Sequence, residues 1–171
     1  MVKALVALGA NVHARALNGD TALHNAAKYG FVEVVKALVA LGADVHALDQ
    51  GGRTALHCAA QAGFVEAVKA LVALGADVHA QAQDGATAMH CAAQDGQVEV
   101  VKALVALGAD VHALAQDGGT ALIPTTIRRR SVADGGARPG HYVTSSARRW
   151  YTTVDKIFAR VRHNDSQPVA A

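Results

Sequence analysis

Aromatic residues, proline and cysteine are scarce in this chain of 171 residues, and each scarcity restricts the kind of protein it can be. With only three phenylalanines, three tyrosines and one tryptophan, any core must consist mainly of alanine, valine and leucine. Three prolines against 16 glycines favour many short helices that end at glycine turns. Two cysteines are too few for the disulfide framework of a small secreted domain and indicate a reducing compartment. We therefore expect an intracellular protein, located in the cytoplasm.

The sequence also lacks an apolar run of the ~18 residues that a membrane-spanning helix requires. Its opening, MVKALVALGA, resembles a secretory signal, because one lysine precedes an apolar segment. However, the letters VKALVALGA recur at residues 35–43, 68–76 and 101–109. A segment that occurs three more times inside the chain is a structural unit. We therefore expect neither a signal peptide nor a transmembrane segment.

The charge is divided unevenly along the chain. Residues 1–116 contain 7 Lys or Arg and 10 Asp or Glu, whereas residues 117–171 contain 9 and 4. The first part therefore has a net charge of −3, and the second part has a net charge of +5. This pattern predicts a mildly acidic folded body with a basic extension.

The dominant feature of the sequence is a repeat of 33 residues. TALHNAA begins at Thr21, TALHCAA at Thr54 and TAMHCAA at Thr87, so each start follows the previous one by 33 residues. We define three units, residues 18–50, 51–83 and 84–116, of which the second and third agree at 26 of 33 positions. Residues 1–17 match only the back half of a unit, and residues 117–122 match only its front. This period predicts a stacked repeat protein.

Each unit is predicted to contain two helices. In the second unit, Thr54 is a suitable N-cap for a first helix over Ala55–Ala62, which Gly63 ends. A second helix is predicted from about Val65 to Leu74. Its apolar residues at three-and-four spacing are Val65, Val68, Leu71 and Val72. A unit of this size cannot bury both helices alone, so neighbouring units must supply the remaining core.

The segment DGATAMHCAAQDGQVEVVKALVALGADVHA, residues 84–113, resembles the ankyrin repeat, whose signature is T-P-L-H-x-A on a 33-residue period. The resemblance covers about residues 1–122 and implies an all-α ankyrin-repeat solenoid, to which residues 123–171 add a basic extension that is not a repeat. Two departures recur in the units. Alanine replaces the family's proline at Ala22, Ala55 and Ala88. Histidine replaces asparagine at His46, His79 and His112.

The adjacent histidine and cysteine of TALHCAA raise the question of a catalytic or metal site. The resemblance instead implies that the histidine bonds to the nearby threonine hydroxyl and to loop backbone, which ties adjacent units together. The residues with this structural role would be Thr21, His24, Thr54, His57, Thr87 and His90. Packed helices lie ~8–10 Å apart, beyond the ~7 Å limit for a disulfide, so Cys58 and Cys91 are expected to be free thiols.

We found no phosphate loop, H-E-x-x-H or G-x-S-x-G motif, so no catalytic residue, metal or cofactor is predicted. The predicted function is a non-catalytic protein–protein interaction module that acts as a scaffold or adaptor. By resemblance, the binding face comprises variable positions at loop tips and on the first helices. The candidates are Arg15, Asp20, Asn25, Lys28, Tyr29, Asp49, Arg53, Gln61, Gln83, Gln94 and Asp95. Tyr29 and Arg53 are the preferred candidates, since aromatic and arginine side chains often dominate interface energies.

Both ends of the array raise further possibilities. The first residues begin inside a second helix, which indicates a truncated array or an incomplete gene model and allows self-association through an uncapped end. At the other end the pattern breaks after Leu122, as a frameshift would produce, and an amphipathic helix is predicted over about residues 146–162. That helix could cap the stack, bind a membrane surface or partner, or be chance sequence. The alternative function is nucleic-acid or anionic-membrane binding through the arginine-rich residues 123–171.

Overall fold

The computed structural model describes residues 11–116, which form six short α-helices. In chain order these are α1 Ala22–Lys28, α2 Val32–Ala40, α3 Ala55–Ala62, α4 Val65–Ala73, α5 Ala88–Gln94 and α6 Val98–Ala106. One helix pair lies in each 33-residue unit. We call α1, α3 and α5 the first helices and α2, α4 and α6 the second helices. The predictions for residues 1–10 and 117–171, including the amphipathic helix over about residues 146–162, lie outside the described residues.

Local signals set the ends of these helices. The backbone of Thr54 is extended, with φ −90° and ψ 169°, and α3 begins at the next residue. Gly63 ends α3 with φ 86°, a left-handed conformation that side-chain-bearing residues rarely adopt. The bounds predicted for α3 are therefore confirmed. Helix α4 ends one residue earlier than predicted, because Leu74 takes a turn conformation in which its N–H donates to the carbonyls of Ala70 and Leu71, while Gly75 N–H donates to that of Val72.

The helices form two rows, which give an all-α repeat solenoid. Each first helix packs against the first helix of the next unit, and each second helix packs against the next second helix. Small side chains allow the close approach in the first row, where Ala59 and Ala60 have no exposed surface. The second row buries one leucine from each helix, namely Leu38, Leu71 and Leu104.

Stacking changes which residues of α4 are buried. Val68 and Leu71 lie in the core as the spacing predicts, but Val65 and Val72 are only half-buried. Ala67, which the spacing did not indicate, is fully buried. A second helix contacts its own first helix and the second helices of both neighbouring units. Its buried surface is consequently wider than the single stripe assumed from the sequence.

The loops between units, residues 15–21, 48–54 and 81–87, form narrow turns that we call the finger loops. In the second, the N–H of Asp49 donates to the carbonyl of Arg53 at 2.9 Å. A ladder of backbone bonds connects successive fingers: Gln50 N–H donates to Asn18 at 3.1 Å, and Gln83 N–H donates to Gly51 at 2.9 Å. The fingers are thereby fixed relative to one another. No helix within residues 11–116 has the length and apolar character needed to cross a membrane.

Candidate functional site

A threonine–histidine pair opens each first helix, and the second pair has the most buried histidine. The His57 side chain has 0% exposure. Its Nδ1 lies 3.1 Å from the Thr54 backbone nitrogen and 2.9 Å from the Thr54 hydroxyl. Its Nε2 lies 3.1 Å from the carbonyl oxygen of Ala86, which belongs to the next unit. One imidazole therefore connects a helix start with the neighbouring finger loop.

These partners determine the protonation state of His57. A carbonyl oxygen only accepts, so Nε2 must carry a proton and donate it to Ala86. A backbone N–H only donates, so Nδ1 must be unprotonated and accept from Thr54. Burial lowers the pKa of His57, and this effect exceeds the opposing effect of the hydrogen bond to Ala86. His57 is therefore neutral in the folded protein at neutral pH.

The threonine–histidine pair recurs in the other two units. His24 Nε2 lies 2.9 Å from the carbonyl oxygen of Arg53, and its Nδ1 accepts from Thr21 N–H at 3.2 Å. His90 Nδ1 accepts from Thr87 N–H at 3.2 Å. These are the bonds that the family resemblance implies. Because both ring nitrogens of His24 and His57 are already engaged, neither side chain is placed to act as a general base.

The cysteines beside these histidines are half-buried free thiols. Burial raises the pKa of Cys58 to about 11, against an opposing effect of the Arg53 charge. Burial also raises the pKa of Cys91, and Arg53 again opposes it. The thiolate is the nucleophilic form of cysteine, so both groups are poorly reactive at neutral pH. Among residues 11–116, no three His, Cys, Asp or Glu side chains cluster in a way that could hold a metal ion.

We predict slow alkylation of both cysteines in the folded protein. At pH 8, iodoacetamide should modify Cys58 roughly tenfold to a hundredfold more slowly than in the same chain unfolded in urea, and Cys91 more slowly as well, because the thiolate is suppressed. Mass spectrometry of the two cysteine peptides at timed intervals measures both rates. Equal rates in folded and unfolded protein would contradict the assigned environment.

The second histidine series lies at the surface. His13, His46, His79 and His112 are all exposed. Their backbone N–H groups donate to a carboxylate or amide oxygen two residues earlier, as in His79 to Asp77 at 2.8 Å. These bonds stabilise the turn after each second helix and do not involve the rings.

The candidate partner-binding residues occupy two levels of exposure. Arg15, Asn25, Lys28, Tyr29, Gln83, Gln94 and Asp95 are exposed, whereas Asp20, Asp49, Arg53 and Gln61 are half-buried. Some of them also hold the finger loops together. Arg15 donates to the carbonyl of Leu48 at 2.6 Å, and Asp49 Oδ1 accepts from the N–H groups of Gly51 and Arg53, both at 2.8 Å.

Arg53, a preferred candidate for partner binding, is only half exposed. Its guanidinium donates to the side-chain oxygen of Gln61 on α3, and its Nε is buried without a hydrogen-bond partner. Its charge also acts on Cys58 and Cys91. Arg53 thus lies across the first helices of the second and third units, and the sequence alone could not show this because Gln61 is eight residues away.

Several residues that hold neighbouring finger loops together were not predicted from the sequence. Gln50 Nε2 donates to the carbonyl of Leu17 at 2.6 Å, and Gln116 Nε2 donates to that of Gln83 at 2.7 Å. The recurrence of glutamine at residues 50, 83 and 116 was the available signal. Phe31 and Phe64, at the turns between first and second helices, were also missed.

Comparison with known families gives two matches. The family model described as "Ankyrin repeats (3 copies)" matches residues 1–82, and the model described as "Ankyrin repeat" matches residues 84–116. A comparison with curated proteins gives no match.

Proposed function

Because the chain belongs to the ankyrin repeat family, we propose that it recognises another protein through the first-helix face, defined as the finger loops and the exposed sides of α1, α3 and α5. Ankyrin repeats are generally protein-interaction modules, and proteins built from them are typically non-catalytic. The scaffold or adaptor role and the particular binding residues are our proposals.

The observation that carries this proposal is where the units differ. Helices α2 and α6 have the same sequence, VEVVKALVA, and α4 differs from them at one position. The first-helix face instead varies at positions that are at least partly exposed. Equivalent positions in the three units hold Asp20, Arg53 and Ala86; Asn25, Cys58 and Cys91; Lys28, Gln61 and Gln94; and Tyr29, Ala62 and Asp95.

This contrast separates framework from recognition. The second helices perform one packing task three times, so one sequence is sufficient for all of them. No packing requirement explains why equivalent surface positions carry an acid, a base and an alanine. A partner with its own distribution of charge and shape does require such a varied surface.

Arg53 is well suited to the centre of this face. Its bond to Gln61 holds the guanidinium in place before a partner arrives. Ordering a long side chain at an interface costs about 0.5–1.5 kcal/mol, and pre-organisation avoids part of that cost. Arginine is also among the residues that most often dominate binding energy.

The test compares the partners captured by three forms of the full chain. In Asn25→Arg/Gln94→Arg, two arginines are added to the first-helix face at exposed positions of α1 and α5. The matched control, Ala40→Arg/Ala73→Arg, adds the same charge at exposed ends of the second helices α2 and α4.

Proteins that bind the wild type should also bind the control. We expect the amount of these proteins captured by Asn25→Arg/Gln94→Arg to be lower by roughly tenfold or more. Quantitative mass spectrometry of captures from a lysate of the source cells measures this depletion. Full retention by the first-helix variant, or equal loss with the control, would mean that binding uses another surface.

A further inference from the structure

Every aromatic side chain within residues 11–116 lies at one place on the surface. These are Tyr29, Phe31 and Phe64, which are 58%, 58% and 41% exposed. The Tyr29 and Phe31 ring centroids are 6.1 Å apart. Phe64, from the next unit, packs on Gly30: a β-carbon added to Gly30 would lie 2.5 Å from its ring. The three rings therefore form one patch at the turns between first and second helices, which we call the aromatic patch.

The repeat itself shows that the fold does not require these rings. The position of Phe31 and Phe64 holds Gln97 in the third unit, and the position of Tyr29 holds Asp95. The backbone is the same in either case, with φ −79° and ψ 74° at Phe31 and φ −79° and ψ 72° at Gln97. Like Phe31, Gln97 donates its N–H to a carbonyl in the preceding first helix. The aromatic side chains thus have no necessary part in forming the turn.

A lysine immediately precedes Tyr29 of the aromatic patch in the sequence. Three of the four lysines in residues 11–116 pair with a glutamate on the same second helix, at 2.9, 2.9 and 2.6 Å. The fourth, Lys28, is exposed at the end of α1, next to Tyr29, and has no ion-pair partner within the described part of the chain. Its charge is therefore available to a carboxylate from outside.

We infer that the aromatic patch binds a peptide segment of a partner protein, with apolar side chains covering the rings and an adjacent acidic side chain meeting Lys28. The inference rests on the proposed protein-binding function and names the chemistry of the segment recognised. Grouped exposed aromatic side chains provide a large apolar contact area with few rotatable bonds. Exposed apolar patches with a polar rim mark interaction surfaces.

Charge supports an acidic segment over a basic one at this position. The lysines of the second helices are already neutralised by their glutamates, so Lys28 dominates the charge next to the rings. A basic segment would meet repulsion from Lys28, whereas an acidic one gains an ion pair at the rim of an apolar contact.

The test uses a phage-displayed library of random dodecapeptides selected on the full wild-type chain. Enriched peptides are then titrated against Phe31→Gln/Phe64→Gln, which installs the residue that the third unit already has at this turn, and against Lys28→Glu. The controls are Leu114→Gln, which removes another exposed apolar side chain (59% exposed) outside the proposed binding face, and Lys36→Glu, which reverses a paired lysine. Thermal unfolding verifies that each variant is folded.

We expect most enriched peptides to contain apolar residues next to Asp or Glu. Their affinity should fall roughly tenfold or more with Phe31→Gln/Phe64→Gln, fall clearly with Lys28→Glu, and remain unchanged with both controls. Dependence on Lys28→Glu keeps the inference testable even if the double phenylalanine variant is unstable.

Other outcomes overturn the inference in distinguishable ways. Some peptides could keep their affinity for Phe31→Gln/Phe64→Gln and Lys28→Glu but lose it for Arg53→Glu. That result would place recognition on the finger loops and leave the proposed function intact. Enrichment of basic peptides would contradict the role of Lys28. Binding to phosphatidylcholine–phosphatidylserine vesicles, or dimerisation, that disappears with Phe31→Gln/Phe64→Gln would assign the patch to a membrane or to a second copy. Failure to enrich any specific peptide would count against both proposals.

Discussion

Replacing His57 with alanine is expected to lower the free energy of unfolding by about 1–3 kcal/mol, the usual cost of leaving buried polar groups without partners. The substitution removes the acceptor for the Thr54 N–H and the donor to the Ala86 carbonyl, and the second of these bonds connects two units. Urea denaturation at pH 7.5, monitored by circular dichroism, measures the loss.

The matched control is His79→Ala, since His79 is exposed and its hydrogen bond to Asp77 is made by the backbone N–H. That variant should differ from the wild type by less than ~0.5 kcal/mol. An unchanged unfolding midpoint for His57→Ala would contradict the structural role. Stoichiometric zinc binding that the substitution abolishes would instead establish a metal site.

The effect of His57→Ala should also depend on pH. Because the folded-state pKa of His57 is lowered, the unfolded chain binds a proton more readily. The stability contributed by neutral His57 is therefore fully present above the unfolded pKa of about 6.5 and is lost as pH falls through the lower folded pKa. The stability difference between wild type and His57→Ala should accordingly narrow below pH ~6.5. A difference that widens on acidification would mean that the folded state favours the imidazolium.

Replacing Leu71 with alanine is expected to lower the free energy of unfolding by about 2–5 kcal/mol, the range for deleting a fully buried leucine side chain. Leu71 has 0% exposure and lies on α4, which contacts both neighbouring second helices. The cavity therefore weakens the central unit and its two interfaces together. The unfolding transition should broaden, since stability in a repeat array is a sum of units and nearest-neighbour interfaces.

Leu17→Ala provides the same chemical change at a leucine that is 99% exposed, and it should leave stability within ~0.5 kcal/mol of the wild type. Urea denaturation followed by circular dichroism measures both variants. Similar losses for Leu71→Ala and Leu17→Ala would contradict the packing of the second row.

The sequence predicted the helices well because its local signals agree with one another. Thr54 and Gly63 mark the ends of α3 by chemistry that acts over a few residues, N-capping and a left-handed turn. The error in the second helix was the single residue Leu74. The 33-residue period extended this assignment to the other helices, because the helices assigned in one unit are expected at the equivalent positions of all three.

Burial and contacts between units could not be derived in the same way. The sequence VEAVKALVA is apolar on nearly every side, so its spacing did not distinguish fully buried Ala67 from half-buried Val65. The environment of Arg53 depends on the side-chain conformation that reaches Gln61. The aromatic patch depends on the stacking that places Phe64 on Gly30, 34 residues earlier.

The most direct test of protein recognition by the first-helix face is site-specific photo-crosslinking in the source cells. Benzoylphenylalanine replaces one exposed residue at a time in the full chain, either Asn25 or Gln94 on the first helices or Ala40 or Ala73 on the second helices. We predict that irradiation joins the same protein to positions 25 and 94 and to neither 40 nor 73. Crosslinks to a partner from positions 40 and 73, with none from positions 25 and 94, would contradict the proposed binding face.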